Sequence, residues 1–291
     1  MSSHRLIWSA DDFGYSGPIN EGIALGHRQG RLTGASILAG GAAFEGAARL
    51  AREMPELDLG VHLAAVEMPA VLAPRDLPGL SDERGLLPLS HRQFLVLYLT
   101  GRISPAVVAR EWEAQIARVR DLGLRPNYLD SHQHLHVLPG LFEAVLGLMK
   151  RFEIRAVRIP SDAVPGRAGL VRRGMLGFLF QLGARARALA RREGHATPDG
   201  TLGIAEAGSL CSARIAQLAQ GLAGRPHGTW ELVLHPGFGE PAGSEASAWG
   251  YHWADELEAT RDAILHEKLR RAGVGQTSYR ELILGYAAGK A

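Results

Sequence analysis

Tyr128-Leu129-Asp130-Ser131-His132-Gln133-His134-Leu135-His136 carries a short apolar run into three alternating histidines. The run, with its aromatic residue, reads as the end of a buried strand. Pro139-Gly140 follows, and Leu141 to Met149 repeats apolar residues at helical spacing. The histidines therefore sit where a strand gives way to a helix, which in a parallel α/β fold is the face that binds ligands and metals. Imidazole is the commonest metal ligand near neutral pH because it coordinates without carrying negative charge. On extended backbone His132, His134 and His136 would share one side, and one ion can take all three only if the chain bends. One or two are expected to ligate while the others shape the pocket. A polar loop that happens to be histidine-rich is the competing reading of this stretch taken alone.

Three other strand ends repeat the pattern. Arg5 to Ala10 reads as a strand running into Asp11-Asp12-Phe13-Gly14. Adjacent buried carboxylates raise one another's pKa unless a cation intervenes. A metal on one aspartate frees the other to accept a proton, and side chains diverging on extended backbone suit that division. An Asp turn closed by Gly14 is the alternative. Leu57 to Leu63 is a strand that delivers His62 at its end, and Thr229 to Leu234 delivers His235 before Pro236-Gly237. One carboxylate and two imidazoles form a sensible set for a divalent metal with an open water position, and the set does not by itself select zinc. A histidine kept off the metal can donate a proton to a leaving group. Arg158, in a short strand over Arg155 to Pro160, either orients the base or holds a substrate oxygen, or it equally pairs with a structural acid.

Between these landmarks strands alternate with helices. Helices are expected from Pro18 to Gly30, Ala42 to Glu53, Pro105 to Leu122, Ser212 to Ala223 and Asp255 to Arg271. The rhythm of seven or eight strands argues for a distorted (β/α) TIM-like barrel over a doubly wound sheet, read as one domain across 1–291. Residues 64–100, broken by Pro69, Pro74, Pro78 and Pro88, are too long for an ordinary connection and are expected to roof the pocket. The aromatic loop Trp249-Gly250-Tyr251-His252-Trp253 either lines a sugar or apolar moiety through Trp249 and Trp253 or packs on the next helix. From Arg167 to Arg192 an apolar patch around Phe178 is ringed by arginines. It reads as a barrel helix with a basic rim, or as a surface meeting an anionic membrane or a lipid-like substrate. Gly174, Gly177 and Gly183 argue against a continuous straight helix there.

The 291 residues are 46% hydrophobic, enough to bury a full core, and the net charge of +2 gives no case for nucleic-acid binding. The single cysteine, Cys211, excludes an internal disulfide framework and reads as a small buried residue. With no signal peptide and no long uncharged apolar run, the cytoplasm is the expected location. The apolar run over residues 93–99 is a candidate for pairing subunits in a homo-oligomer.

Ala10-Asp11-Asp12-Phe13-Gly14, Gly60-Val61-His62-Leu63, Asp130 to His136, Val157-Arg158-Ile159-Pro160 and Leu234-His235-Pro236-Gly237 occur together and in order. In this the chain resembles the YdjC-like carbohydrate deacetylases, a family that includes chitooligosaccharide and hopanoid-biosynthesis deacetylases. The resemblance implies a distorted (β/α) barrel with one divalent ion, Zn2+ or Mg2+, held by Asp12, His62 and His132. It implies Asp11 as general base and His235 as general acid. The implied reaction removes the acetyl group of an N-acetylated sugar or glycolipid head group. Apart from the resemblance, the residues themselves make His134, His136, Arg158, Trp249 and Trp253 candidate substrate contacts. Two rival readings are a two-metal phosphoesterase that recruits Asp130 and a non-catalytic metal- or sugar-binding protein.

Overall fold

A computed structural model describes residues 4–162, 164, 166, 169–239 and 249–289. Eight strands form one all-parallel sheet: β1 (His4–Phe13), β2 (Gly34–Ile37), β3 (Asp58–Leu63), β4 (Tyr128–Ser131), β5 (Ala156–Val157), β6 (Gly200–Leu202), β7 (Gly228–Leu234) and β8 (Val274–Thr277). Their order is β5-β4-β3-β2-β1-β7-β6, with β8 on the first half of β1. Isolated bridges Ala156↔Ala196 and Asp162↔Thr201 link the β5 side to the β6 side. The sheet thus curls into a distorted (β/α) barrel.

The helices are α1 (Gly17–Arg28), α2 (Phe44–Glu53), α3 (His91–Leu99), α4 (Pro105–Asp121), α5 (Leu141–Arg151), α6 (Leu170–Arg192), α7 (Ser212–Gln220), α8 (Trp253–Arg261), α9 (Ala263–Arg271) and α10 (Tyr279–Ala287). Local chemistry sets their starts. Ser16 and Ser104 accept hydrogen bonds from first-turn amides, and Pro18 and Pro105 occupy first-turn positions that have no amide to satisfy. The helix expected over Asp255 to Arg271 is two helices, because Asp262 leaves helical geometry and caps Ile264 and Leu265. Conversely, α6 runs unbroken for 23 residues. An added Cβ would meet nothing at Gly174 or Gly177, whereas Gly183 lies against the Pro160 carbonyl. Cys211 is exposed beside the start of α7, not buried as its residue type suggests.

Alternation on the strands separates two environments. Leu6, Trp8 and Ala10 join the main core between sheet and helices. Ile7 joins Tyr128 and Tyr279 in a small apolar cluster inside the barrel. Above that floor the interior is polar, with Ser9, Asp11, Asp130, Glu231 and Arg158 all buried. Gly60 is required here because a side chain would overlap the Tyr128 ring.

The roof follows β3. An antiparallel bridge Pro69↔Leu86 closes a loop that buries Leu77, Leu80 and Leu87. Buried polar groups of α4 hold it down. Gln115 exchanges hydrogen bonds with Ala64 N–H and C=O at 2.8 Å each, and Glu111 accepts from Val71 and Leu72 at 2.8 and 3.0 Å.

Candidate metal centre and active site

The two aspartates arrive on a bulge. Ala10 pairs with Ala35 and Phe13 with Ile37, so β1 spends one more residue than β2 over this stretch. Asp12 takes φ +64°, a left-handed conformation costly for a residue with Cβ, and Gly14 takes φ +105° just beyond. The expected divergence of adjacent side chains is thereby undone, and both carboxylates lie beside His62. The histidine cluster bends too. Gln133 and His134 adopt φ +58° and +57° within a 3-10 turn over His132–Val137, so the three histidines fan apart.

His62 donates Nδ1–H to Asp130 Oδ1 at 2.8 Å, which leaves its Nε2 lone pair 3.6 Å from Asp12 Oδ1. His132 Nε2 meets Glu67 Oε2 at 2.9 Å, and a carboxylate can only accept there. Its Nδ1 then faces Asp12 Oδ1 at 3.2 Å. Buried Asp12 Oδ1 finds no hydrogen-bond partner among the described residues. With His132 neutral, three acceptors converge on one buried point and repel one another unless a cation lies between them. Asp12, His62 and His132 therefore fit a divalent ion, with their donor atoms within 4.8 Å of one another. A second group of three, Asp11, His62 and Asp130, shares His62.

Beneath this point Arg158 is fully buried and shared by three carboxylates. Its Nη1 lies 2.7 Å from Asp11 Oδ2 and 2.9 Å from Asp130 Oδ2, and its Nη2 lies 2.8 Å from Glu231 Oε1. Tyr279 OH donates to the other Glu231 oxygen at 2.7 Å. Burial alone would raise the Asp11 carboxyl, but the Arg158 charge outweighs it and holds Asp11 well below the usual carboxylate range. Of its expected roles, Arg158 takes the place against Asp11, the expected base, and it also pairs with the buried acids Asp130 and Glu231. It lines no part of the cavity, so its expectation as a substrate contact is corrected.

His235 stands at the end of β7 with Nε2 4.0 Å from Asp11 Oδ2 and Nδ1 3.7 Å from Glu256 Oε2. Burial opposes its positive charge, yet Glu256 and then Asp11 and Asp12 raise its pKa above the ordinary histidine value. Tyr251 presents its ring to the imidazole at 4.8 Å.

The remaining expected contacts divide. His134 lines the cavity and is half-buried, with burial and the Arg158 charge lowering its pKa well below the ordinary value. His136 does not line it. It is fully buried between Ser131 Oγ at 2.6 Å and the Arg158 carbonyl at 2.8 Å, and burial pushes its pKa down to about 4. Trp249 packs against His132, Tyr15 and Tyr251 at the edge of the site. Trp253 is buried against Gly237 and is a packing residue, which corrects the expectation of substrate contact. Tyr251 lines the cavity between them.

The cavity over these groups measures about 860 Å³. Leu170, Val171, Met175, Leu176, Leu179 and Leu182 of α6 form an apolar wall, while His91 and Arg92 of α3 face in from the roof. Arg167, counted with this basic stretch in the sequence, lies outside the described residues. No helix among the described residues is long and apolar enough to cross a membrane.

Comparison with known proteins places the chain in a family. The family model of the YdjC-like proteins matches residues 5–271. The chain belongs to the YdjC-like family. A mouse protein named carbohydrate deacetylase is 32% identical over 287 residues, covering 93% of this chain and 92% of its own. A human protein of the same name is 30% identical and covers 93% and 88%. A crystal structure from Enterococcus faecalis V583, described as a proposed cellobiose-phosphate cleavage protein, shares the fold with a TM-score of 0.73 at 23% identity, covering 96% of this chain and 98% of that one. In this YdjC-like chain the residues that sequence reasoning left out are Glu67, Glu231, Glu256 and Tyr279. All are carried by the roof or by elements far along the chain from the histidine cluster. Asp130, which the sequence offers only as a ligand for a second metal, instead accepts the His62 Nδ1–H.

Proposed function

We propose that this protein is a metal-dependent deacetylase of N-acetylated amino sugars. The observation that carries the proposal is the unpartnered Asp12 Oδ1 facing two imidazole lone pairs, with Asp11 and His235 beside it. Asp12, His62 and His132 would hold one divalent ion, and two nitrogen donors favour a zinc-like ion over magnesium. When bound, such an ion polarises an amide carbonyl and lowers the pKa of water. Asp11 is kept ionised by Arg158 and accepts a proton from the attacking water. His235, its charge supported by Glu256, donates a proton to the sugar nitrogen as the C–N bond breaks. Acetate and a free amine result. The two-metal alternative is disfavoured because the Arg158 guanidinium already sits against Asp11 and Asp130.

The wall of α6 supports a substrate whose acetamido sugar is joined to an apolar group, such as a glycolipid head group. Leu170 and Val171 are 86% and 79% exposed beside Arg172 and Arg173, a combination suited to peripheral contact with an anionic membrane. The test is acetate release by stripped and reloaded protein from free, oligomeric and lipid-linked N-acetylhexosamines. Release dependent on added metal, and greatest with the lipid-linked form, is expected. Failure on all three would overturn the proposal. Asp11→Asn should abolish turnover while metal is retained.

A further inference from the structure

We propose that Glu67, from the roof, is a positioning residue of the metal centre: its carboxylate holds the His132 ring so that the Nδ1 lone pair faces the ion. This rests on the metal reading above. A neutral imidazole has one N–H, and which nitrogen carries it is set by the partner of the other. His132 offers Nε2 to Glu67 Oε2 at 2.9 Å and Nδ1 to Asp12 at 3.2 Å. Without Glu67 nothing described would fix that choice. The proton could equally sit on Nδ1 and block the ion. His62 shows the same device with the nitrogens exchanged, since Asp130 takes its Nδ1–H and leaves Nε2 for the ion. Each histidine thus has its own orienting carboxylate, one from the barrel interior and one from the roof.

The backbone gives a second, independent observation. Glu67 takes φ +64°, and Asp12, Gln133 and His134 around the same site do likewise. Only Glu153, among the described non-glycine residues, shares that conformation elsewhere. A left-handed conformation is strained for a residue with Cβ, so surrounding structure must impose it. Here Glu67 N–H bonds to Pro88 C=O at 2.8 Å, and Leu87 N–H bonds to Met68 C=O at 3.1 Å. The clamp aims a side chain only 19% exposed at His132 and at no other cation within ion-pair distance among the described residues. The roof is therefore part of the metal centre as well as its cover. Opening the roof should loosen the ion.

Metal affinity, measured by chelator competition with Zn2+ and by the visible spectrum of the Co2+ form, tests this on three full-length proteins. Glu67→Gln can still accept from Nε2–H and should bind within a few-fold of the parent. Glu67→Asn tolerates the left-handed backbone but is too short to reach, and should bind about 10- to 100-fold more weakly, with an altered Co2+ spectrum. Thermal melting of the stripped proteins confirms that each is folded. Equal affinity and identical spectra for parent and Glu67→Asn would overturn the role of Glu67 alone. A parent protein that binds no metal would overturn the metal centre and this proposal with it.

Discussion

Replacing Arg158 by Met removes a guanidinium that three buried carboxylates share. Asp11, Asp130 and Glu231 lie within 2.9 Å of it, and none of their side chains is more than 4% exposed. Breaking a buried pair by deleting one partner costs about 3–5 kcal/mol, since the remaining charge stays desolvated. Three carboxylates depend on this one cation, so the upper end of that range is expected. The loss should depend on pH. The folded Asp11 carboxyl is depressed by Arg158, so its stabilisation is present above the unfolded pKa and disappears as pH falls through the folded value. In the variant that stabilisation is gone and protonation relieves the repulsion. The deficit should therefore be largest near pH 8 and smaller near pH 5. Denaturant unfolding of metal-stripped parent and variant at the two pH values measures it. Arg158→Lys, which keeps charge without the planar fork, should fall between them and remains usable if the Met variant does not fold. A loss below about 1 kcal/mol, unchanged between the two pH values, would refute the shared-cation argument.

Three further outcomes are expected. Glu256→Gln removes the carboxylate that raises His235, so the basic limb of the kcat/KM profile should move to lower pH, while an unmoved limb would argue against His235 as the acid. Without metal, burial opposes the His132 charge but Asp12 and Glu67 outweigh it and hold its pKa at about 10. Stability from a raised pKa is complete below the unfolded value and lost as pH climbs through the folded one, so the stripped protein should lose Tm between about pH 7 and pH 10 while the loaded protein does not. Leu179→Ser together with Leu182→Ser should raise KM for a lipid-linked substrate while leaving kcat for a free amino sugar within about twofold; equal effects on both would remove the case for an apolar aglycone.

The strand ends were legible because parallel strands end on one face, and Asp12, His62, His132 and His235 each follow an apolar run. What was not legible is how they are oriented. The bulge at Asp12 and the left-handed pair Gln133 and His134 have no sequence signal as plain as a glycine. Glu231 was discoverable in principle. It lies on β7 four residues before His235, which directly follows that strand, so both face the barrel interior, as do Ile7, Ser9 and Asp11 on β1. Glu67 and Glu256 gave no such clue, since a carboxylate in a roof or at a helix start is usually solvated. The glycines of α6 misled because two of them face open space and interrupt no packing. Trp253 misled because an aromatic loop suggests a sugar platform, whereas this ring is needed to pack against Gly237.

The central claim is that a single ion joins β1, β3 and the turn after β4. Crystals grown with zinc and measured at its absorption edge test it most directly. One anomalous peak is predicted, within about 2.0–2.3 Å of Asp12 Oδ1, His62 Nε2 and His132 Nδ1. Two peaks, with the second beside Asp130, or none among these side chains, would contradict it.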